Sequence, residues 1–419
     1  MLVVIGLDGL SINTLLNLTK QNAMPYTKTL LKEGTLKQVA SALPPNSAVS
    51  WTSIYTGVPP GEHGVFGFTS PIPGTYSFKF HNYKAATYQC FWERNPRNRV
   101  LLVNLPVTYP VRPLNGVHVS GFVSPTLEKA VHPDHLKPTL EKEGYIIDVS
   151  PPPNMEEESF FQRMEEALRG RVRLIQSVGL RWDLVFIVFT GPDRLGHFFG
   201  NEMIGNHISP RVCKYFKALD GAIETIMEGC PEGTPLALVS DHGMVESKCC
   251  IHVNHLLETG GYLRLGEGSK SLAGIQEGSK AFFAESNNIY INKKNRFPKG
   301  AVEEKSSLEA ALEVKEFLLE QKHCGKPIFK EVYLKEEIYS GPHLENAPDL
   351  VCLPTPGFSL SSSIGSQVTS SPDSLKGCHS EDDAFVYLGF MDADLGEVNG
   401  NWELLKGLGG ALGGVRGGW

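Results

Sequence analysis

The segment "DLVFIVFTGPDRLGH" (residues 183–197) joins an uninterrupted apolar run to a short polar stretch with acidic and imidazole side chains. An apolar run without polar alternation is typical of a strand buried on both faces, as in a mostly parallel sheet. On a helix after this strand, Asp193 and His197 share one face because they are four positions apart. The segment therefore predicts a buried strand followed closely by two side chains that commonly bind metals.

Apolar runs of this kind recur along the chain, and amphipathic helical patterns lie between them. The predicted strands are 2–7, 36–43, 99–105, 118–123, 183–189, 235–240, 288–292, 349–353 and 384–390. The clearest helical patterns are 156–179, 211–227 and 307–322. Alternating strands and helices predict an α/β fold, a three-layer α/β/α sandwich around a mostly parallel central sheet.

The composition changes along the chain and indicates a division into parts. Residues 251–345 are richer in Lys, Glu, Asn and Gly and are interpreted as an inserted lid. Residues 1–250 and 346–395 are then the catalytic α/β core. The remaining segment, 396–419, is a Gly-rich tail, and its part from residue 404 onward is expected to pack poorly.

Overall composition limits the classes of function. The 419 residues carry a formal net charge of -7, which does not suggest a protein that binds a nucleic-acid polymer. No apolar run approaches the ~18 residues of a membrane span, and the first residues lack the features of a signal peptide. The eight cysteines are therefore interpreted as reduced thiols, and the expected location is the cytoplasm.

Acidic side chains follow three of the predicted strands. They are Asp8, Asp193 and Asp241, and two of them have a histidine at ligand spacing, His197 and His242. Ligands bind in the crevice beyond the carboxyl ends of parallel strands, and carboxylates grouped there repel one another unless a cation lies between them. Oxygen and imidazole ligands suit zinc, manganese or iron, and two such sets predict two divalent metal ions.

Each of these residues also has an ordinary structural interpretation. Asp8 could belong to a plain turn with Gly9, and Asp241 could be a helix N-cap. Asp193 could be a first-turn carboxylate stabilised by the helix dipole, with His197 as its partner four residues later. The metal hypothesis depends on the conjunction of all these residues after buried strands.

A third feature is the hydroxyl-rich stretch "PPNSAVSWTSIYTG" (residues 44–57), which begins an apolar, helix-like segment. A helix N-terminus holds phosphate well, and a hydroxyl there is either a cap or a nucleophile. Asn46 and Ser47 both suit the cap position. The residue types alone leave four candidate nucleophiles: Ser47, Ser50, Thr52 and Ser53.

The order of motifs resembles the alkaline phosphatase superfamily, in particular its type I phosphodiesterase/nucleotide pyrophosphatase branch in the prokaryotic form without a signal peptide. The motifs are "GLDG", "PPNSAVSWTSIYTGVPPGEHGVFGF", "FTGPDRLGHFF", "SDHGM" and "GCHSEDDAFVYLGF", and the resemblance covers roughly residues 1–395. The sulfatase motif C-x-P-x-R is missing from the sequence, which argues against that branch.

The resemblance implies an alkaline-phosphatase-like fold, two bound metals and a serine nucleophile. Ser47, ten residues before Gly57, is at the position of that nucleophile, and it would form a phosphoseryl intermediate in the first of two in-line steps. One ion would be bound by Asp8, Ser47, Asp241 and His242, and the expected metal is zinc with manganese or iron as alternatives. The other would be bound by Asp193, His197 and His379. Only the resemblance singles out His379.

The resemblance also suggests how a small phosphoester or nucleotide substrate is held. The N–H group of Ala48 would contact a phosphate oxygen. Phe68 stands where relatives have an asparagine, so that contact would come from Asn82, Lys84 or Arg194. The leading hypothesis is a phosphodiesterase or pyrophosphatase; the alternatives are a phosphomonoesterase, a phosphotransferase and a protein that binds a phosphorylated ligand without turnover.

Overall fold

The structure, a computed structural model, describes residues 1–150, 156–364, 367–372, 375–391 and 395–408. Its helices are α1 Ile12–Lys20, α2 Pro25–Glu33, α3 Ser47–Thr56, α4 Pro60–His63, α5 Lys137–Lys142, α6 Glu157–Val178, α7 Gly191–Met203, α8 Pro210–Glu228, α9 Val253–Thr259, α10 Ser307–Glu320, α11 Lys335–Ile338 and α12 Leu404–Gly407. The three helical patterns of the sequence are confirmed as α6, α8 and α10. Within these ranges, no helix has the length and apolar character that a membrane crossing requires.

The strands of the described ranges form one large sheet and several small ones. They are β1 Leu2–Leu7, β2 Thr35–Val39, β3 Thr69–Pro71, β4 Phe78–Phe80, β5 Val100–Leu105, β6 Gly116–Ser120, β7 Val131–His132, β8 Leu184–Phe189, β9 Leu236–Val239, β10 Gly243–Glu246, β11 Cys249–His252, β12 Ala281–Phe283, β13 Asn288–Ile291, β14 Lys322–His323, β15 Lys326–Pro327, β16 Phe329–Leu334, β17 Leu350–Pro354, β18 Phe358–Ser361, β19 Thr369–Ser370, β20 Gly377–Ser380 and β21 Ala384–Gly389.

The large sheet has eight strands in the order β2-β21-β9-β1-β8-β5-β6-β7. The central strands β9, β1, β8, β5 and β6 run parallel, whereas β21 and β7 are antiparallel to their neighbours. In the centre, β1 lies beside β8 with Ile5 opposite Ile187. The predicted mostly parallel sheet is confirmed, and it brings the carboxyl ends of β1, β8 and β9 to one edge.

Both faces of the large sheet are covered, which explains the continuous apolar runs. In β8, Val185 and Ile187 belong to a core that also contains residues of α1, α2, α6, α7 and α8. Phe186 and Val188 point to the opposite core, which contains Trp51 of α3 and residues of the C-terminal segment. Because every second residue of a strand faces the same side, a strand between two cores must be apolar throughout. The result is the three-layer sandwich predicted from the sequence.

A separate core holds the inserted region together. It surrounds the antiparallel sheet β12-β13-β17-β16 and includes side chains of α9 and α10. Strand β17 pairs with β13 and β16, and β18 pairs with β11, so residues 350–361 are bonded to the insert. The sequence places the end of the insert at residue 345, but this boundary does not agree with the strand pairing. We propose a boundary after β19.

The segment 395–408 packs against the large sheet, contrary to the expectation for the Gly-rich tail. Leu404 and Leu408 are fully buried in the same core as Trp51. The side-chain amide of Asn401 donates to the backbone carbonyls of Ser240 and Asp241. The prediction of poor packing is wrong for residues 404–408 because these leucines cover the sheet, and its remainder, 409–419, lies outside the described residues.

Replacing Asn401 with alanine is expected to lower the free energy of unfolding by about 1–3 kcal/mol, because the buried Ser240 and Asp241 carbonyls lose the amide donor and Asp241 keeps only the Ser41 hydroxyl. Asn399→Ala is the matched control, since Asn399 is exposed two positions earlier. Its effect should stay within about 0.5 kcal/mol. Urea unfolding of both variants measures the difference, and equal stabilities would contradict a role for Asn401 in holding the end of β9.

Candidate metal centre

Three carboxylates meet at the carboxyl edge of the large sheet. Asp8 directly follows β1, Asp193 lies in the first turn of α7 after β8, and Asp241 follows β9. Their relative exposures are 2%, 4% and 0%, so water screens little of their mutual repulsion. Because β9, β1 and β8 are parallel neighbours, their carboxyl ends lie side by side and bring the three carboxylates together, as their positions after predicted strands indicated.

The first cluster consists of Asp193, His197 and His379. The Asp193 Oδ1 atom lies 3.3 Å from the Nε2 atom of His197 and 3.4 Å from that of His379. The two imidazole Nε2 atoms are 2.9 Å apart. His379 reaches this position from β20, which pairs with β10, so a residue far along the chain completes the cluster.

The second cluster consists of Asp8, Ser47, Asp241 and His242. The Ser47 hydroxyl lies 3.3 Å from Asp8 Oδ1 and 3.2 Å from His242 Nε2. The same Nε2 atom is 3.2 Å from Asp241 Oδ2. Ligand atoms of Asp8, Asp193 and His242 also lie within 4.8 Å of one another, so Asp193 adjoins both clusters. Carboxylates shared in this way are suited to a pair of adjacent cations.

The hydrogen bonds of the three histidines define their tautomers. Their Nδ1 atoms face backbone carbonyl oxygens at 2.9–3.1 Å: His197 to Gly377, His242 to Gly243 and His379 to Pro45. Because a carbonyl oxygen can only accept, each neutral ring carries its proton on Nδ1 and directs a lone pair from Nε2 into the site. Metal-bound histidines are oriented by this type of contact.

Two carboxylate oxygens of the clusters lack a hydrogen-bond donor in the described part of the chain. Buried oxygens Asp193 Oδ1 and Asp241 Oδ2 accept no hydrogen bond within the described residues. Facing Nε2 lone pairs and unpaired carboxylate oxygens would be unfavourable in a site without a cation. The donor set of carboxylate oxygens and imidazole nitrogens therefore fits divalent ions such as zinc, manganese or iron.

The surroundings of the three carboxylates shift their pKa values in different directions. Burial and the neighbouring carboxylates raise the pKa values of Asp8 and Asp241 well above their usual range. Burial also acts to raise the pKa of Asp193, but the imidazoles of His197 and His379 when they carry a positive charge, together with the Arg194 guanidinium, hold it well below the usual range. Two of the three carboxyl groups are thus under strong pressure to bind either a proton or a cation.

Helix α3 places the candidate nucleophiles in different surroundings. Asn46 is its N-cap, with Oδ1 accepting from the Val49 N–H group, and Ser47 is its first residue. The other three hydroxyls contact groups outside the clusters: Ser50 meets Ser41, Thr52 donates to the Ala48 carbonyl and Ser53 donates to the Val49 carbonyl. Ser47 is the candidate whose hydroxyl lies among the carboxylates and histidines.

A tryptophan lies behind the site, and no sequence motif points to it. The Trp51 indole N–H group donates to Asp8 Oδ2 at 2.9 Å. Trp51 is one turn after Ser47 on α3, so the same helix presents the hydroxyl and orients a carboxylate. The signal was weak, since a tryptophan in an apolar helix usually indicates only a buried face.

The predicted substrate contacts have different surroundings. Ala48 is the second residue of α3, where backbone N–H groups have no partner four residues earlier in the helix. Asn82 and Lys84 are exposed, and Asn82 lines a cavity of about 1030 Å³ together with Asp148, whose carboxylate binds Arg194. Arg194 is bound by Asp148 at 2.9 Å and by Asp193 at 3.2 Å. All four remain predictions as substrate contacts, and the geometry gives Arg194 a role in orienting Asp193.

Gly9 allows the backbone to approach Asp193. Its φ angle is +66°, and a Cβ atom there would lie 2.9 Å from the Asp193 Cα atom. Gly144 has the same φ of +66° with nothing within 4 Å of an added Cβ, which makes Gly144→Ala the matched control. Gly144→Ala should cost about 1–2 kcal/mol of stability and leave activity intact.

Gly9→Ala carries the same conformational cost and also displaces Asp193. Since a displacement of about 1 Å costs on the order of 100-fold in rate, the expected loss of activity is at least that large. Activity assays and metal titration of the two variants test this. Equal activities would show that the close approach at Gly9 does not position the cluster.

The three-layer sandwich around a mostly parallel sheet, with carboxylates and histidines clustered at its carboxyl edge, is an alkaline-phosphatase-like fold. The family model for type I phosphodiesterase/nucleotide pyrophosphatase matches residues 2–382. The chain therefore belongs to this family of phosphoester hydrolases, as the sequence motifs indicated.

Solved structures with a similar fold are distant in sequence. Phosphonoacetate hydrolase from Sinorhizobium meliloti 1021, in complex with phosphonoformate, matches with a TM-score of 0.67 at 15% identity, over 98% of this chain and 95% of that chain. Murine ectonucleotide pyrophosphatase/phosphodiesterase 5 has a TM-score of 0.52 at 13% identity, with coverages of 92% and 87%. None of the curated protein sequences compared with the chain matches it. At these identities the structural likeness shows the fold alone.

Proposed function

We propose that the protein is a two-metal phosphodiester hydrolase that acts on small phosphoesters or nucleotides through a phosphoseryl intermediate at Ser47. The observation that carries the proposal is the position of the Ser47 hydroxyl, 3.3 Å from Asp8 and 3.2 Å from His242 at the start of α3. No other hydroxyl of the 44–57 stretch has this environment. The second cluster, around Asp193, adjoins it.

The metal ligands would be the two clusters described above. One ion would be bound by Asp8, Ser47, Asp241 and His242, and the other by Asp193, His197 and His379. When bound, the ions would supply Lewis acidity and neutralise negative charge on the transferring group. Zinc is the proposed ion because mixed oxygen and imidazole ligands suit it well.

The protein itself orients the reacting groups. The N-cap bond of Asn46 fixes the first turn of α3 and with it the direction of the Ser47 side chain. The positive end of the α3 dipole and the free N–H group of Ala48 favour a phosphate oxygen at this place. Trp51 and the backbone N–H group of Gly9 hold Asp8 and Asp241 by hydrogen bonds of 2.9 Å each.

Charge favours a diester over a monoester. A cavity of about 250 Å³ opens beside His197 and His379, and its lining contains no lysine or arginine among the described residues. The nearby Arg194 is already neutralised by two carboxylates. A monoester dianion would carry a second negative charge without a cationic side chain to balance it. We further propose that the residues of the inserted region that line this cavity determine which substrates the protein accepts.

The test compares bis(p-nitrophenyl) phosphate with p-nitrophenyl phosphate, using protein stripped by a chelator and reconstituted with zinc, manganese or iron. The expected result is about two ions per chain by mass spectrometry and diester hydrolysis that depends on them. A monoester preference would move the assignment to a phosphatase. Two bound metals without hydrolysis of either ester, across several leaving groups, would favour a binding protein and contradict the proposal.

A further inference from the structure

An ion pair lies directly beside the metal centre. Asp148 is in the segment after α5, and Arg194 follows Asp193 in the first turn of α7. The Arg194 Nε atom donates to Asp148 Oδ1 at 3.0 Å, and its Nη2 atom lies 2.9 Å from Asp148 Oδ2. The ring of Phe122 covers the guanidinium, with 4.6 Å between the ring centre and the Arg194 Cζ atom. Since each side chain of the pair is only 12% exposed, this bidentate contact fixes the plane of the guanidinium.

The remaining nitrogen of the guanidinium reaches a metal ligand. Arg194 Nη1 lies 3.2 Å from Asp193 Oδ2. The other oxygen of the same carboxylate, Oδ1, accepts no hydrogen bond from the residues that the structure describes. It faces the Nε2 atoms of His197 and His379 at 3.3 and 3.4 Å. Arg194 therefore contacts one oxygen of Asp193 and leaves the oxygen nearest the histidines free for a cation.

The segment that carries Asp148 is anchored independently of Arg194. The neighbouring Ile147 carbonyl accepts from Arg171 Nη2 at 2.8 Å, and Arg171 is a buried residue of α6. The Thr190 hydroxyl, just before α7, donates to Asp148 Oδ1 at 3.3 Å. The carboxylate thus has a fixed position, against which the guanidinium is held.

The ion pair determines how Arg194 meets Asp193. A guanidinium can bind both oxygens of one carboxylate at the same time. Without the charge of Asp148, two donors of Arg194 would lose their partner in a poorly hydrated position, and Asp193 is the other carboxylate in contact with them. Asp193 would then bind Arg194 through both oxygens, and Oδ1 would no longer be free for a cation. The positive charge of Arg194, no longer neutralised, would also oppose a cation.

We propose that Asp148 is a positioning residue for the metal ion bound by Asp193, His197 and His379, and that it acts through Arg194. It holds the guanidinium in the orientation that supports one oxygen of Asp193 without competing for the other. The inference rests on the proposed function, because it concerns an ion at this cluster. It deepens that function by adding a residue that contacts none of the metal ligands itself.

The experiment measures zinc binding to the metal-free full chain by calorimetric titration and by competition with a chelator. Asp148→Asn keeps the shape of the side chain and removes its charge. We expect the affinity for one of the two ions to fall about 10- to 100-fold, the loss typical when a residue that orients a metal ligand is replaced. The affinity for the other ion should change much less, since no hydrogen bond or ion pair within the described residues joins Arg194 to Asp8, Asp241 or His242.

A second substitution shows whether Asp148 acts through Arg194. The double variant Asp148→Asn/Arg194→Met lacks the whole ion pair, so the net charge beside the cluster equals that of the wild type and no guanidinium competes for Asp193. Its zinc affinity should exceed that of Asp148→Asn by about tenfold. Asp148→Glu retains the charge, and the cavity of about 1030 Å³ that Asp148 lines has room for the longer side chain. It should bind zinc more tightly than Asp148→Asn.

Asp183→Asn is the matched control for the loss of a carboxylate paired with an arginine. Asp183 lies directly before β8 and forms an ion pair with Arg99, at the end of the strand opposite to Asp193. The substitution removes the same charge from the same type of pair at a distance from the metal centre. Both zinc affinities of this variant should equal those of the wild type.

The outcomes separate this inference from the proposed function. Two zinc ions bound by Asp148→Asn with unchanged affinities would overturn the role of Asp148 and leave the two-metal assignment standing. A double variant that binds zinc as weakly as Asp148→Asn would overturn it as well, because Asp148 would then act independently of Arg194. A wild-type chain that binds no zinc would contradict both the inference and the proposed function.

Discussion

Ser47→Ala is expected to lower phosphodiester turnover by at least about 10⁴-fold, the scale of losses seen when a nucleophilic serine is removed. Stability and metal content should change little, since alanine fits the first turn of α3 and the carboxylates and histidines remain in place. Within the described residues, the Ser47 hydroxyl contacts only Asp8 and His242 by hydrogen bonds, so its removal breaks no other structural contact. Steady-state assays, thermal unfolding and metal analysis measure the three quantities.

Ser50→Ala is the matched control for this experiment. Ser50 lies on the same helix and is fully buried, but its hydroxyl contacts Ser41 at 2.8 Å. It should retain activity and lose about 1 kcal/mol of stability. Acid quenching of the wild type during turnover of bis(p-nitrophenyl) phosphate should trap a nitrophenyl phosphate group esterified to Ser47, because the first step expels only one of the two nitrophenols. Full activity in Ser47→Ala would show that the attack on phosphorus does not use this serine.

Asp241→Asn is expected to raise the stability of the metal-free protein and to abolish metal-dependent activity. The asparagine keeps the oxygen that accepts from the Gly9 N–H group at 2.9 Å. Its new amide replaces the unpaired Oδ2 atom, 3.2 Å from the His242 Nε2 lone pair, and can donate to it. Removing a buried, unpaired charge and adding this bond should contribute about 1–3 kcal/mol. The lost ligand charge should lower activity by about 10³-fold or more.

The pH dependence of the free energy of unfolding provides a second test of the stability change expected for Asp241→Asn. Burial and the charge of Asp193 raise the pKa of Asp241 in the folded protein. The wild type without metal therefore loses stability as the pH rises through this raised pKa, because the native state disfavours the charged carboxylate. The advantage of Asp241→Asn should be largest at neutral and alkaline pH and shrink as the pH falls. Urea unfolding of chelated samples across this range tests it, and a destabilised variant at neutral pH would contradict the expectation.

Much of the large sheet was predictable because a strand buried on both faces must be apolar throughout, and such continuous apolar runs are visible in the sequence. The runs 2–7 and 183–189 became the central strands β1 and β8. The same pattern could not say which sheet a run joins. Residues 349–353 have an equally apolar run, but β17 belongs to the insert because its backbone partners are β13 and β16.

The candidate site was predictable to the extent that its residues follow strands. Asp8, Asp193 and Asp241 met this condition, whereas His379 lies in a short strand of a separate two-stranded sheet and needed the family resemblance. The contact of Trp51 with Asp8 depends on tertiary approach between segments far apart in the chain. Local pattern contains no information about such approaches.

The attachment of Asn401 to the end of β9 has a consequence for biosynthesis. The ribosome releases the amino-terminal strand first, and at about 5–20 residues per second roughly 20 to 80 s separate the emergence of Asp8 from that of Asn401. During this interval the early carboxylates and Ser47 are present without His379 and without the amide that supports the Asp241 backbone. Assembly of the complete ligand set therefore occurs late in synthesis, long after the first acidic residues have been made.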